Sequence, residues 1–247
     1  MVICKITILH SNLAYEGLLT KCIARPGMHD HWINRGKIAR VRMQLPPRFL
    51  QSSIIARKLD RILVVDVEAT CWEGDPRPGQ LSEIIEIGLC VPDVTTLARV
   101  EQRDILVRPV CSTISPYCTQ LTTLTQTDVD SGIPLAEACQ ILVHEYQAPA
   151  RLWASYDDYD RKQFERNCSE FGIPYPFGPT HLNVKTLVAV ACGWSREVGM
   201  GEALRRMGLP LEGTHHRGGD DAWNIAAILS RVLRSGRVGC VEPGSRA

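Results

Sequence analysis

The chain has 247 residues and sets 28 Lys and Arg against 27 Asp and Glu. A formal net charge of +1 excludes a simple polybasic coat for nucleic acid and an acidic disordered tail. With 45% hydrophobic and 22% charged residues, it reads as one globular domain with an extension, long enough to bury a substantial core.

The charge balance is uneven along the chain. Residues 1–60 contain ten bases and three acids, and residues 61–247 contain 18 bases and 24 acids. A basic leader therefore precedes an acidic body, and a surplus of carboxylates suits a body that holds divalent cations. The ten cysteines form no C-x-x-C pair, which removes the main signal for a zinc ribbon or a thioredoxin-like site. They read as mostly buried free thiols of a reducing compartment. The apolar run 6–15 is broken by His10, Ser11 and Asn12 and lacks a small-residue cleavage site, so no signal peptide is expected. No segment reaches the roughly 18 to 20 apolar residues of a membrane span. The reading is a cytoplasmic protein without a membrane partner.

Residues 1–58 show no sustained period and carry the breakers Pro26-Gly27 and Pro46-Pro47. They are predicted to be a basic, poorly ordered extension, with Met43 as an alternative start. At residue 62 the pattern changes. Ile62-Leu-Val-Val-Asp-Val67 is a continuous β-branched run suited to a central strand, and 83–91 and 103–108 read as the next two strands after a Gly- and Pro-rich loop at 72–80. Leu135, Ala138, Cys139, Leu142, Val143 and Tyr146 repeat at helical spacing behind Pro134. A fourth strand is predicted at 151–155 and helices at 160–171, 182–192, 200–207 and 221–233, with a flexible tail at 236–247. Strands first, then alternation, then a helical end describe an α/β body at 59–235 with a mixed sheet flanked by helices.

Three polar clusters stand out. Asp66 and Glu68 lie where the first strand runs out, and residues i and i+2 of an extended chain share a face. Two carboxylates so placed repel unless a cation neutralises them, and hard ions such as Mg²⁺ take oxygen ligands. Asp160 follows Asp157 and Asp158 and opens a helix, where an acid can also cap backbone N–H groups. His215-His216-Arg-Gly-Gly-Asp-Asp221 precedes the last helix, with a histidine able to accept a proton near neutral pH and Asp221 close to the buried face. Zinc binding by the His pair is disfavoured, because adjacent histidines share one tetrahedral ion poorly and no cysteine completes the set.

Taken together, Asp-x-Glu on a first strand, an isolated Asp about 90 residues on, and His-x4-Asp before a final helix resemble the DEDDh 3′-to-5′ exonucleases of the ribonuclease H-like fold. The words Asp66-Val-Glu-Ala-Thr-Cys71, Glu83-Ile-Ile-Glu-Ile87, Tyr159-Asp-Arg-Lys-Gln-Phe164 and His216-Arg-Gly-Gly-Asp-Asp-Ala-Trp-Asn-Ile225 are similar to the branch that trims histone mRNA and small RNA 3′ ends. The resemblance implies that 59–235 is an exonuclease domain. It implies that Asp66, Glu68, Asp160 and Asp221 hold two Mg²⁺ ions, with Mn²⁺ able to substitute. Glu68 and His216 would serve catalysis, His216 as the general base, chosen over His215 by its spacing to Asp221. Ala69, Thr70, Leu121, Thr122 and His216 would meet the terminal nucleotide of a single-stranded 3′ end, RNA in preference to DNA. Leu121-Thr-Thr-Leu-Thr125 departs from the family pattern, with Thr123 in place of a glycine. Residues 1–58 resemble no RNA-binding leader of that branch.

Two other readings carry some of these residues. The 62–70 segment and Gly219-Asp-Asp also resemble motifs of haloacid-dehalogenase-type phosphatases, but that reading gives Asp160 and His216 no role. A non-catalytic RNA-binding adaptor on the same fold would be expected to lack one of the five polar residues, and all five are present.

Overall fold

A computed structural model describes residues 58–74 and 79–236. The expectations for the leader up to residue 57 and for the tail from 237 onward lie outside the described residues. Among the described residues there are five strands: β1 Lys58–Ala69, β2 Ile84–Pro92, β3 Arg99–Leu106, β4 Arg151–Ser155 and β5 His181–Asn183. Seven helices accompany them: α1 Pro116–Thr122, α2 Gln126–Asp130, α3 Leu135–His144, α4 Tyr159–Phe171, α5 Val184–Ala191, α6 Met200–Met207 and α7 Gly218–Gly236. The sheet order is β3-β2-β1-β4-β5. β1, β2 and β3 run antiparallel in sequence, whereas β4 and β5 join parallel to β1, which makes the sheet mixed as predicted.

β1 is central because both of its faces are apolar. Leu63, Val65 and Val67 point into one core, with Leu142 of α3, Phe164 of α4 and Trp153 of β4. Ile62 and Val64 point into the opposite core, with Val188 of α5, Leu204 of α6 and Ile225, Ile228 and Leu229 of α7. This period of two is what a strand covered on both sides requires. β3 begins four residues earlier than its apolar run suggests. Its first half is mostly exposed, so edge pairing rather than hydrophobic patterning defines it.

Three short elements, α1, α2 and β5, were not anticipated. α1 opens on Ser115, whose side chain accepts the Cys118 N–H, followed by a proline in the first turn. α2 opens on a capping box between Thr125 and Asp128. The predicted helix at 182–192 begins at Val184, because Asn183 caps it by accepting the Thr186 N–H, and His181–Asn183 pair with β4 instead. Cys90, Cys118, Cys139 and Cys168 are buried free thiols, Cys71 is half-buried and Cys192 exposed. Cys111 departs from the free-thiol reading, being disulfide-bonded. Among the described residues no helix is long and apolar enough to cross a membrane.

Thr123 closes α1 with φ +65° and ψ −4°, donating its N–H to the Thr119 carbonyl. The departure from the family glycine therefore sits at a left-handed C-cap, where a β-branched side chain is strained. Thr123→Gly should stabilise the protein by about 0.5–1 kcal/mol, the relief of strain exceeding the extra chain entropy. A raised urea midpoint at unchanged slope is the expected reading.

Candidate active site

Alternation along β1 decides where the first two acids point. Residues 62 and 64 face α5, α6 and α7, so Asp66 and Glu68 continue on that face at the carboxyl end of the strand. The pairing with β2 slips by one residue after Glu68, which faces Glu86, so that Ala69 faces Ile84. A bulge of this kind re-aims side chains at a strand end.

Asp221 reaches the same place through α7. The first turn of that helix lies on β2 at Gly88, the residue paired with Asp66. A Cβ on Gly88 would fall 1.7 Å from the Gly218 carbonyl carbon, so only glycine permits this approach. One carboxylate oxygen from each of Asp66, Glu68 and Asp221 can lie within 4.8 Å of the others. Asp160 arrives from the first turn of α4. Its Oδ1 accepts the Val67 N–H at 2.9 Å, satisfying a buried amide beyond the last β1–β4 pair.

The four acids share a cavity of about 320 Å³ with Ala69, Cys71, Leu121, Tyr156, His215 and His216 on its wall. Burial raises the proton affinity of all four, and repulsion from the other acids of the group adds to it at Asp66 and Glu68. Glu68 is pushed up to about 8, by desolvation first and then by Asp221, Glu86 and Asp160. Asp160 is raised to about 7 by desolvation, against the Val67 N–H that favours its charged form. Asp66 is raised well above the usual range, by burial and then by Asp160, Glu68 and Asp221. Asp221 is raised by burial, opposed by the His216 N–H and His215. Converging hard oxygens with unneutralised repulsion form a donor set that fits a divalent cation such as Mg²⁺.

Both histidines lie on the cavity wall. The His216 N–H donates to Asp221 Oδ2 at 2.9 Å, and its φ of +64° is left-handed. His215 Nδ1 lies 2.9 Å from Asp221 Oδ2 and 3.1 Å from Oδ1. The imidazole that touches Asp221 is thus that of His215, a contact that spacing alone did not disclose. Burial and the neighbouring His215 ring pull His216 below the ordinary histidine pKa, with Asp221 opposing them.

Ala69 and Leu121 line the cavity, and Thr70 and Thr122 do not. The Thr70 hydroxyl accepts the Glu83 N–H and meets Ser112 Oγ, while Thr122 donates to the Cys118 carbonyl. Both build the wall behind the cavity. Sequence reasoning also missed what Glu83 and Glu86 do. Glu83 accepts the N–H groups of Val110, Cys111 and Ser112, anchoring the loop before α1. Glu86 has no solvent exposure and receives Arg217 Nη2 at 2.7 Å and the Gly218 N–H at 2.7 Å. The legible signal was two acids inside a strand buried on both faces.

The sheet is mixed, and four acids converge at the end of its central strand. The family model RNase_T, described as an exonuclease, matches residues 63–229, and the chain belongs to that family. Among its relatives is the fruit fly (Drosophila melanogaster) 3′-5′ exonuclease Snipper, 29% identical, with 71% of this chain and 70% of that protein aligned. Human (Homo sapiens) 3′-5′ exoribonuclease 1 is 28% identical over 72% of this chain and 53% of its own, so the chain spans about half the length of that relative. The nuclease domain of 3′hExo, a DEDDh family member, superposes with a TM-score of 0.66 at 26% identity, covering 73% of this chain and 96% of that one.

The raised carboxylates make metal-free stability depend on pH. Between the unfolded carboxylate range and the folded values near 7 and 8, the folded state of Asp160 and Glu68 binds more protons than the unfolded state. That contribution to stability is full below about pH 4 and is lost as pH rises through about 7 to 8. In chelator, the melting temperature should therefore be lower at about pH 8 than at about pH 5.5. Asp66→Asn or added Mg²⁺ should raise the value at the higher pH, and a flat profile that neither change moves would count against the arrangement.

Proposed function

We propose that this chain hydrolyses the terminal phosphodiester of single-stranded 3′ ends, RNA in preference to DNA, and releases 5′-nucleoside monophosphates. The observation that carries this reading is the meeting of Asp66, Glu68, Asp160, Asp221 and His216 on one cavity, in a chain of the exonuclease family. The names of the fly and human relatives support the direction, and the 3′hExo nuclease domain bound to rAMP supports a ribonucleotide.

Asp66, Glu68 and Asp221 would hold one divalent ion, Asp66 would be shared with a second, and Asp160 would support the pair. Bound there, such ions neutralise phosphate oxygens and lower the proton affinity of an attacking water. His216 would accept the proton of the attacking water, with burial and the His215 ring holding its pKa below the ordinary histidine value. Asp221 accepts the His216 N–H and so fixes the loop that carries the base. The Ala69 backbone and the Leu121 side chain face the terminal nucleotide from the wall of the cavity, and Thr70 and Thr122 keep that wall in place. The phosphatase reading leaves Asp160 and His216 unused, although both line this cavity.

His216→Ala should lower the rate of mononucleotide release from a single-stranded RNA oligomer by about 10²- to 10⁴-fold. Asp66→Ala should abolish release while leaving the circular dichroism spectrum unchanged. Length-resolved products from matched RNA and DNA oligomers measure both the direction and the preference for RNA. Unchanged release by either variant, or orthophosphate as the product, would sink the assignment.

A further inference from the structure

Among the described residues, a second ligand cluster shares Asp221 with the acid triad: His215, His216 and Asp221 each offer an atom within 4.8 Å of the others. Neighbouring side chains of an extended chain point apart, which is why the pair reads as a poor metal site in sequence. The left-handed backbone at His216 removes that obstacle. It brings both imidazoles to one side, where they stack with centroids 4.0 Å apart and planes 15° from parallel, so that a shared ion requires the His215 ring to swing out of the stack.

The cluster is anchored on both flanks. The Thr214 N–H donates to Asp220 Oδ2 at 2.7 Å, and Arg217 is held by buried Glu86. His215 Nδ1 already sits 2.9 Å from a carboxylate oxygen, and its side chain is 44% exposed.

We propose that His215, His216 and Asp221 form a site for a borderline transition-metal ion, with Zn²⁺ as its natural occupant, and that filling it inhibits the nuclease. Two imidazole nitrogens and one carboxylate oxygen make a three-ligand zinc set with a fourth position open to water. Zinc bonds of about 2.0–2.1 Å place ligand atoms roughly 3.3 Å apart in a tetrahedron, a closure that rotation of the His215 side chain supplies. Imidazole suits Zn²⁺, Cu²⁺ and Ni²⁺, whereas Mg²⁺ stays with the oxygen ligands of Asp66, Glu68 and Asp221. An ion held by His216 occupies the nitrogen that must accept a proton and draws Asp221 away from the acid triad. The inhibitory half of this inference rests on the function proposed above; the site itself does not.

Calorimetric titration of the chelator-stripped full chain with ZnCl₂, and with CoCl₂ read by visible absorption, tests the site without any nuclease assay. His215→Ala, a residue outside the proposed catalytic set, should weaken Zn²⁺ and Co²⁺ binding by about tenfold or more and Mg²⁺ binding by much less, through the lost contact to Asp221. His215→Gln should do the same and guards against a folding effect. In the Mg²⁺-supported nuclease assay, about tenfold more Zn²⁺ should be needed to inhibit either variant. Equal Zn²⁺ affinity in wild type and variants, or binding by none of them, overturns the site. Weakened binding with an unshifted inhibition curve overturns the inhibitory role. A chain that binds Zn²⁺ through His215 yet degrades no oligomer overturns the function proposed above and upholds the site.

Discussion

At Gly88 the backbone of β2 and the first turn of α7 approach so closely that no side chain fits between them. The same approach from the other side leaves a Cβ on Gly218 only 2.8 Å from the Gly88 nitrogen. Everything on that face follows from this contact. α7 packs across β2, β1 and β3 and buries Ile225, Ile228 and Leu229 against the even-numbered residues of β1. Each such side chain contributes about 1.5–3 kcal/mol of burial. The docking also sets Asp221 beside Asp66 and Glu68. A bulkier residue at position 88 would separate two halves of one site.

Repulsion among the acids opposes this packing. Glu68 lies over Glu86 in the β1–β2 register, and burial first, then the neighbouring Asp221, Glu86 and Asp160, pushes its carboxyl up to about 8. Arg217 relieves part of it by pairing with Glu86 from beneath. The guanidinium is thereby committed to the loop's support, and the remaining negative potential opens into the cavity, where a cation can offset it. Strain of this kind at a functional site is offset by the hydrophobic packing on both faces of the sheet. The near-neutral total charge conceals the same division, with a basic leader balancing a body whose excess acids gather at the end of β1.

The central strand was legible because both of its faces are apolar, and α3, α4, α6 and α7 because their apolar residues repeat at helical spacing. α1, α2 and β5 were not, since seven, five and three residues give too few periods to count. Their caps were written in the chain nonetheless, as Ser115-Pro116 and Thr125-x-x-Asp128, local chemistry that a search for hydrophobic periodicity passes over. β3 extends into a charged edge for the same reason: hydrogen bonding to β2 holds it, and no side-chain pattern announces that.

The sequence alone pointed to the family and named the candidate residues. Asp66, Glu68, Asp160, Asp221 and His216 were recognisable because their words and spacing together resemble the DEDDh exonucleases, whereas each group alone reads equally as a helix cap or a chance pair. Their convergence was a matter of tertiary structure, which depends on a glycine contact between residues 130 positions apart and on the turn from β4 into α4. So were the burial of the Thr70 and Thr122 hydroxyls within the wall, the pairing of Glu86 with Arg217, and the turning of His215 onto Asp221. These depend on where a side chain points once strands pair and helices dock. One left-handed residue, His216, was enough to bring two neighbouring imidazoles to the same side.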